Sequence, residues 1–217
     1  MIKLLFSTPL LRLKVMLGLF VLFSSAYSQE QFQKLDNPMS VEYLQKNLLK
    51  SRPRLVLNPQ NEKLLRQKLE DDPVVQNMYK AIQLNASRIY EQPLLQRIKT
   101  GKRLLAVSRT FLYRMNMLGM VYFVDKDPKV LQRINDELNA VCSFSDWNPS
   151  HFLDVAEMAL GVALALDWTA GDLPSSTTDL AHSALIEKGL KPSFAEKGMG
   201  WIRSCLLYTS PSPRDPH

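Results

Sequence analysis

Trp147-Asn148-Pro149-Ser150-His151-Phe152-Leu153-Asp154-Val155-Ala156-Glu157-Met158-Ala159-Leu160-Gly161-Val162-Ala163-Leu164-Ala165-Leu166-Asp167-Trp168 is the stretch that decides the fold class. Asn148 is an N-cap residue type, and Pro149 stands where a helix tolerates proline best, so a helix is expected over 149–168. Ala156, Ala159, Gly161, Ala163 and Ala165 remove bulk, while Phe152, Val155, Met158, Leu160, Val162 and Leu164 leave almost no polar face. A helix that is apolar nearly all round lies buried among other helices. Its first turns are the exception. His151, Asp154 and Glu157 recur at i, i+3, i+6 behind Trp147, and polar groups at the mouth of a buried helix suit the rim of a binding cavity.

The same punctuation recurs upstream. Asn58-Pro59, Asp72-Pro73 and Asp127-Pro128, like Asn148-Pro149, each offer a side-chain cap followed by a preset φ, and each is expected to open a helix. The resulting reading is a short helix over 41–50, an extended stretch over 54–57, and helices over 59–71, 73–91, 102–124, 128–142 and 149–168. A loop over 170–174 then leads to a helix from Ser175 or Ser176 to about 188, and Lys191-Pro192 starts a short final one. No run alternates with period two for long enough to make a strand. The expected class is all-α, built from antiparallel helix pairs.

Both ends are read separately. Lys3, Arg12 and Lys14 precede an apolar run from Val15 to Phe23, and Ala26-Tyr27-Ser28 supplies small residues at the −3 and −1 positions. That is the pattern of a secretory signal peptide over 1–28, cleaved after Ser28, which predicts a periplasmic or secreted protein. The apolar run is shorter than the roughly 20 residues a spanning helix needs, so no membrane span is expected after cleavage. At the other end, Cys205 to Asp215 resembles one reading frame of a transposase adapter used in library sequencing, and 205–217 is expected not to be native. Residues 29–204 carry 23 basic and 20 acidic side chains, a net +3 against +6 for all 217 residues. This charge is too mild to indicate nucleic acid as a partner, and no basic stripe interleaved with aromatics occurs. Cys142 is then the sole cysteine of that segment, so no internal disulfide is expected, and it reads as a packed core thiol.

Trp147 to Asp154, closing with Asp167-Trp168, resembles the helical N-terminal domain of the heparinase II/III-like polysaccharide lyases. Arg52-Pro53-Arg54-Leu55-Val56-Leu57 is similar to the family's opening proline-arginine-leucine segment, and Gly101 to Arg109 to the start of its first long helix. The resemblance spans roughly Val41 to Arg203. It implies an incomplete α/α toroid over 53–204 after a lead-in over 29–52. It also implies an exported enzyme that cleaves uronate-containing glycans by β-elimination, and no cofactor. The family's catalytic Asn or His, Tyr and β-domain residues have no counterpart in this chain, so no catalytic residue is carried over and the fragment alone is expected to be inactive.

What remains is rim chemistry. Trp147 offers a ring face for a sugar, and Asn148 and His151 offer donors for hydroxyls or a carboxylate. Asp154 and Glu157 form a carboxylate pair, as in toroid glycoside hydrolases, or else bind neighbouring helices and basic residues such as Arg109 and Arg114. These five are the candidate substrate-binding residues, with an acidic polysaccharide or oligosaccharide as the expected partner. Asp167-Trp168 and His182 read as structural and surface residues, and no Cys/His/Asp cluster has metal-ligand spacing. The competing functions are a toroid glycoside hydrolase, which needs two carboxylates across a glycosidic bond, and a non-catalytic periplasmic glycan-binding or scaffold protein.

Overall fold

The computed structural model describes residues 40–194, and every element in it is helical. The signal-peptide and adapter readings, over 1–28 and 205–217, lie outside the described residues. The chain divides into two compact units between Leu48 and Leu49. The described part of the first is α1, Val41–Asn47, whose N-cap Ser40 accepts a hydrogen bond from the Tyr43 amide at 3.1 Å.

The second unit holds α2 (Pro59–Asp71), α3 (Pro73–Tyr90), α4 (Leu105–Asp125), α5 (Pro128–Cys142), α6 (Phe152–Trp168), α7 (Ser175–Ala184) and the short α8 (Lys191–Phe194). Three Asx-Pro pairs behave as expected. The Asn58, Asp72 and Asp127 side chains each accept from amides of the turn they open, with proline at the first helical position. Among the described residues no strand forms, and no helix is long and apolar enough to cross a membrane.

Asn148-Pro149 departs from the pattern. Asn148 adopts φ 60°, a left-handed conformation that Asn tolerates better than most residues, and its side chain bonds the Lys102 carbonyl and the Asp154 carboxylate instead of capping backbone amides of the helix. The helix therefore begins three residues later than expected, at Phe152, with His151 at the cap position and no side-chain cap bond. Likewise α4 starts at Leu105 rather than 102, because Thr100 and Arg103 close a tight turn around Gly101 at φ 61°. The 54–57 segment is neither helix nor strand, and Val56 turns it with φ 31°. Behind α7, Leu185–Leu190 is a π-helical turn. Pro192 explains the widening: it has no N–H to give the Lys188 carbonyl, and its ring would collide with that carbonyl in an α turn.

α4 and α6 are the central pair. The ring of Phe111 lies where a Cβ on Gly161 would come within 2.7 Å, and Trp168 where one on Gly119 would come within 2.8 Å. Each helix thus yields a glycine to an aromatic of the other. The two contacts climb both helices in the same direction, so α4 and α6 run parallel. α5 folds back antiparallel to α4 after the two-residue link Lys126-Asp127, where Lys126 takes the left-handed cap position at φ 54°. α7 packs on α5, so α4 and α6 form one layer and α5 and α7 another. The main core lies between the layers and includes Phe111, Met115, Leu118, Ile134, Leu138, Trp147, Met158 and Val162. A smaller cluster joins Leu57, Phe123, Leu164 and Trp168.

α6 is not buried all round. Leu153, Ala156 and Leu160 form an exposed apolar stripe at helical spacing, with Leu160 49% exposed. The sequence reading of a fully enclosed helix is corrected to one open along a single line.

Candidate functional site

The five candidate residues are brought together where the 143–151 loop enters α6, but they do not play equal parts. Asp154 is fully buried. Its Oδ2 accepts from the Leu104 amide and from Asn148 Nδ2, both at 2.7 Å, and its Oδ1 meets His151 Nδ1 at 3.0 Å. Asn148 Nδ2 also donates to the Lys102 carbonyl at 2.8 Å, and its Oδ1 accepts from the Ser150 hydroxyl. Asn148 is therefore a latch between two loops rather than a cap, and it is 2% exposed. Buried donors and acceptors must be paired, and this network pairs them.

Trp147 is 0% exposed, its indole N–H donating to the Val141 carbonyl at 3.1 Å and its ring reaching Gly189 of the π-helical turn. The stacking role expected for it does not fit this geometry, because both faces are enclosed by protein. Asn148 and Asp154 are likewise too buried to reach a ligand. His151 and Glu157 face outward in part, their side chains 28% and 15% exposed.

Glu157 accepts from the Ser108 hydroxyl at 2.6 Å and pairs with Arg109 Nε at 3.2 Å. Arg114, the other basic partner expected for these carboxylates, lies elsewhere. It pairs with Glu137 at 2.6 Å inside the α4–α5 interface, where Arg133 joins the same carboxylate oxygen at 2.7 Å. Leu104–Asp154, Ser108–Glu157 and Arg109–Glu157 stand 50, 49 and 48 residues apart, which follows from the parallel register of α4 and α6. Arg109 is the basic partner expected for Glu157, whereas nothing local in the sequence announces the Leu104–Asp154 and Ser108–Glu157 contacts.

Arg97 and Asp146 were not singled out from the sequence, yet they brace the loop. Arg97 Nη2 meets Asp146 Oδ1 at 2.6 Å and its Nε donates to the Asp146 carbonyl, while the Asn148 amide donates to the same Oδ1. Burial pushes the Asp146 carboxyl up, but the guanidinium and the amide outweigh it and hold it below its ordinary value. Lys188 reaches across from the π-helical turn to the carbonyls of Cys142 and Phe144. Burial raises the Cys142 thiol to about 12, against the attraction of Lys188, so it is a packed thiol as expected.

A carboxylate that accepts on both oxygens obliges His151 Nδ1 to carry the proton, which leaves Nε2 as the outward lone pair of the neutral ring. The arrangement offers one hydrogen-bond acceptor held in place by Asp154, on the same helix as Glu157, whose partner Arg109 is exposed. Among the described residues no group of His, Cys, Asp and Glu side chains is arranged to hold a metal ion.

No protein-family model and no curated protein matches this chain.

Proposed function

We propose that this chain is the N-terminal part of an exported polysaccharide lyase of the heparinase II/III-like kind, which cleaves uronate-containing glycans by β-elimination. The observation that carries the reading is the 147–168 block, whose resemblance to that family is joined by a folded role for its members. Trp147, Asn148 and Asp154 lock the loop, and His151 and Glu157 stand at its open edge.

Two features of the fold support a ring of helix pairs. The α4/α6 and α5/α7 layers repeat one helix pair beside the next, and parallel inner helices put their first turns at the same end. The stripe of Leu153, Ala156 and Leu160 suits a further inner helix, since burying what remains exposed of each leucine is worth about 1 kcal/mol. His151, Glu157 and Arg109 would then line one rim of the toroid.

Elimination needs a base for the weakly acidic C5 proton, a group returning a proton to the departing 4-oxygen, and donors that neutralise the uronate carboxylate. On this reading His151 and Arg109 contact the glycan, and the proton-transferring residues come from elsewhere in the full enzyme. The glycoside-hydrolase alternative is disfavoured for Asp154 and Glu157. One is sealed from solvent, and two carboxylates a turn apart on one helix do not straddle a glycosidic bond.

The test begins by sequencing the source locus with long reads across the Ser204 codon and expressing the frame found there. Incubation with alginate, heparin and chondroitin should release 4,5-unsaturated ends with their ultraviolet absorbance. New reducing ends without that absorbance would make the protein a hydrolase. Binding without turnover would make it a glycan-binding scaffold.

A further inference from the structure

At the far end of α6 from His151, a cleft of about 250 Å³ opens between the segment ahead of α2, α6 and α7. Arg52, Arg54 and His182 line it together with Ala163, Leu166 and Leu185. Thirteen residues of helix separate Asp154 from Asp167, roughly 20 Å at 1.5 Å per residue, so this is a different place from the rim described above.

The charge balance of the cleft is unusual. Its one carboxylate, Asp167, is 4% exposed, and its Oδ2 already accepts the backbone amides of Arg54 and Leu55, both at 2.8 Å. Those two hydrogen bonds anchor the segment to α6. Arg54 Nη1 donates to the neutral Leu49 carbonyl at 3.1 Å, which positions the guanidinium without compensating it. Among the described residues neither Arg52 nor Arg54 has a carboxylate partner. Two arginines and a histidine therefore line the cleft against one buried carboxylate, together with the apolar Ala163, Leu166 and Leu185. A guanidinium presents a planar fork of donors that matches the oxygens of a carboxylate or sulfate.

We infer that this cleft binds a single oxyanion carried on a small carbon skeleton, such as a carboxylated or sulfated sugar residue, with Arg52 and Arg54 on the anion and Ala163, Leu166 and Leu185 beneath the skeleton. The inference stands on the cleft alone and holds whether or not the protein is a lyase.

The test is an amide NMR titration of the full chain with sodium glucuronate, glucose and sodium sulfate at matched ionic strength. Glucuronate should shift the Leu55, Asp167 and His182 amides saturably, and glucose should not. Arg52→Gln, at an exposed position, should weaken glucuronate roughly tenfold with the rest of the spectrum unchanged, and His182→Gln should weaken it less. Saturation by sulfate at the same amides would place recognition in the oxyanion alone, whereas its failure beside glucuronate binding would place it in the carboxylate and ring together. Equal shifts from glucose, shifts that never saturate, or unchanged affinity in Arg52→Gln would overturn the inference.

Discussion

Replacing Asp154 tests the buried network most directly, because asparagine keeps the shape and one acceptor oxygen that alanine removes. In Asp154→Ala the Leu104 amide and Asn148 Nδ2 lose their shared acceptor, and these residues are 0% and 2% exposed. Water cannot readily replace it there. His151, more than a quarter exposed, can turn to solvent at little cost. Leaving a buried donor unpaired costs about 1–3 kcal/mol, so two of them predict a loss of about 4 kcal/mol. Asp154→Asn is different. Its amide oxygen can stand where Oδ2 stood and keep both donors, and its NH₂ then faces His151 Nδ1. That nitrogen must become the acceptor, so the imidazole proton moves to Nε2. Only the charge assistance is lost, about 1–2 kcal/mol. Urea unfolding followed by far-ultraviolet circular dichroism should rank wild type above Asn above Ala, and the His151 ring ¹⁵N shifts should report the exchanged tautomer in Asp154→Asn. Equal stabilities for the two variants, or an unchanged tautomer, would refute the network as drawn.

Gly161→Ala should destabilise by about 1 kcal/mol net, since a Cβ at 2.7 Å from the immobile Phe111 ring costs about 1–3 kcal/mol against a helix-propensity gain near 1; adding Phe111→Leu should recover part of the loss in a thermal melt. Glu137→Ala should cost about 3–5 kcal/mol in chemical unfolding, because it strands the 4%-exposed Arg114 without a counter-charge. The Asp146 carboxyl is held below its ordinary value in the folded state, so its contribution is complete above the unfolded pKa of 3.8 and is lost as pH falls through the lower folded value. Arg97→Gln should therefore lower stability by under about 1 kcal/mol near neutrality, the pair being part-exposed, and by less in acid below that range. With Cys205→Ser in place, Cys142 should resist a thiol reagent near pH 8 until the chain is unfolded, its thiol being raised to about 12 by burial.

Helix positions were legible in the sequence because the signals that set them are local. A side-chain oxygen and the proline of the next residue cap and open their own turn, as at Asn58, Asp72 and Asp127, and apolar spacing marks the buried side of each helix. The same rule misplaced Asn148. Its chemistry permits a cap, but a left-handed backbone and the Lys102 carbonyl and Asp154 drew the side chain to a distant loop. A local reading has no access to a partner 46 residues away.

Trp147 shows the same limit from the other side. A tryptophan beside polar residues at a helix mouth reads as a sugar platform, yet whether its faces are open depends on Gly189 and Val141 closing over it. The sequence by itself determined that this protein is helical, where its helices lie to within three or four residues, and that 147–168 would be central. The tertiary structure alone decided which polar residues serve the fold and which face solvent. It also brought Arg52, Arg54 and His182 to one cleft. The physical reason is that capping and periodicity act within a turn or two, whereas burial and charge pairing are set by the parallel register of helices about 50 residues apart.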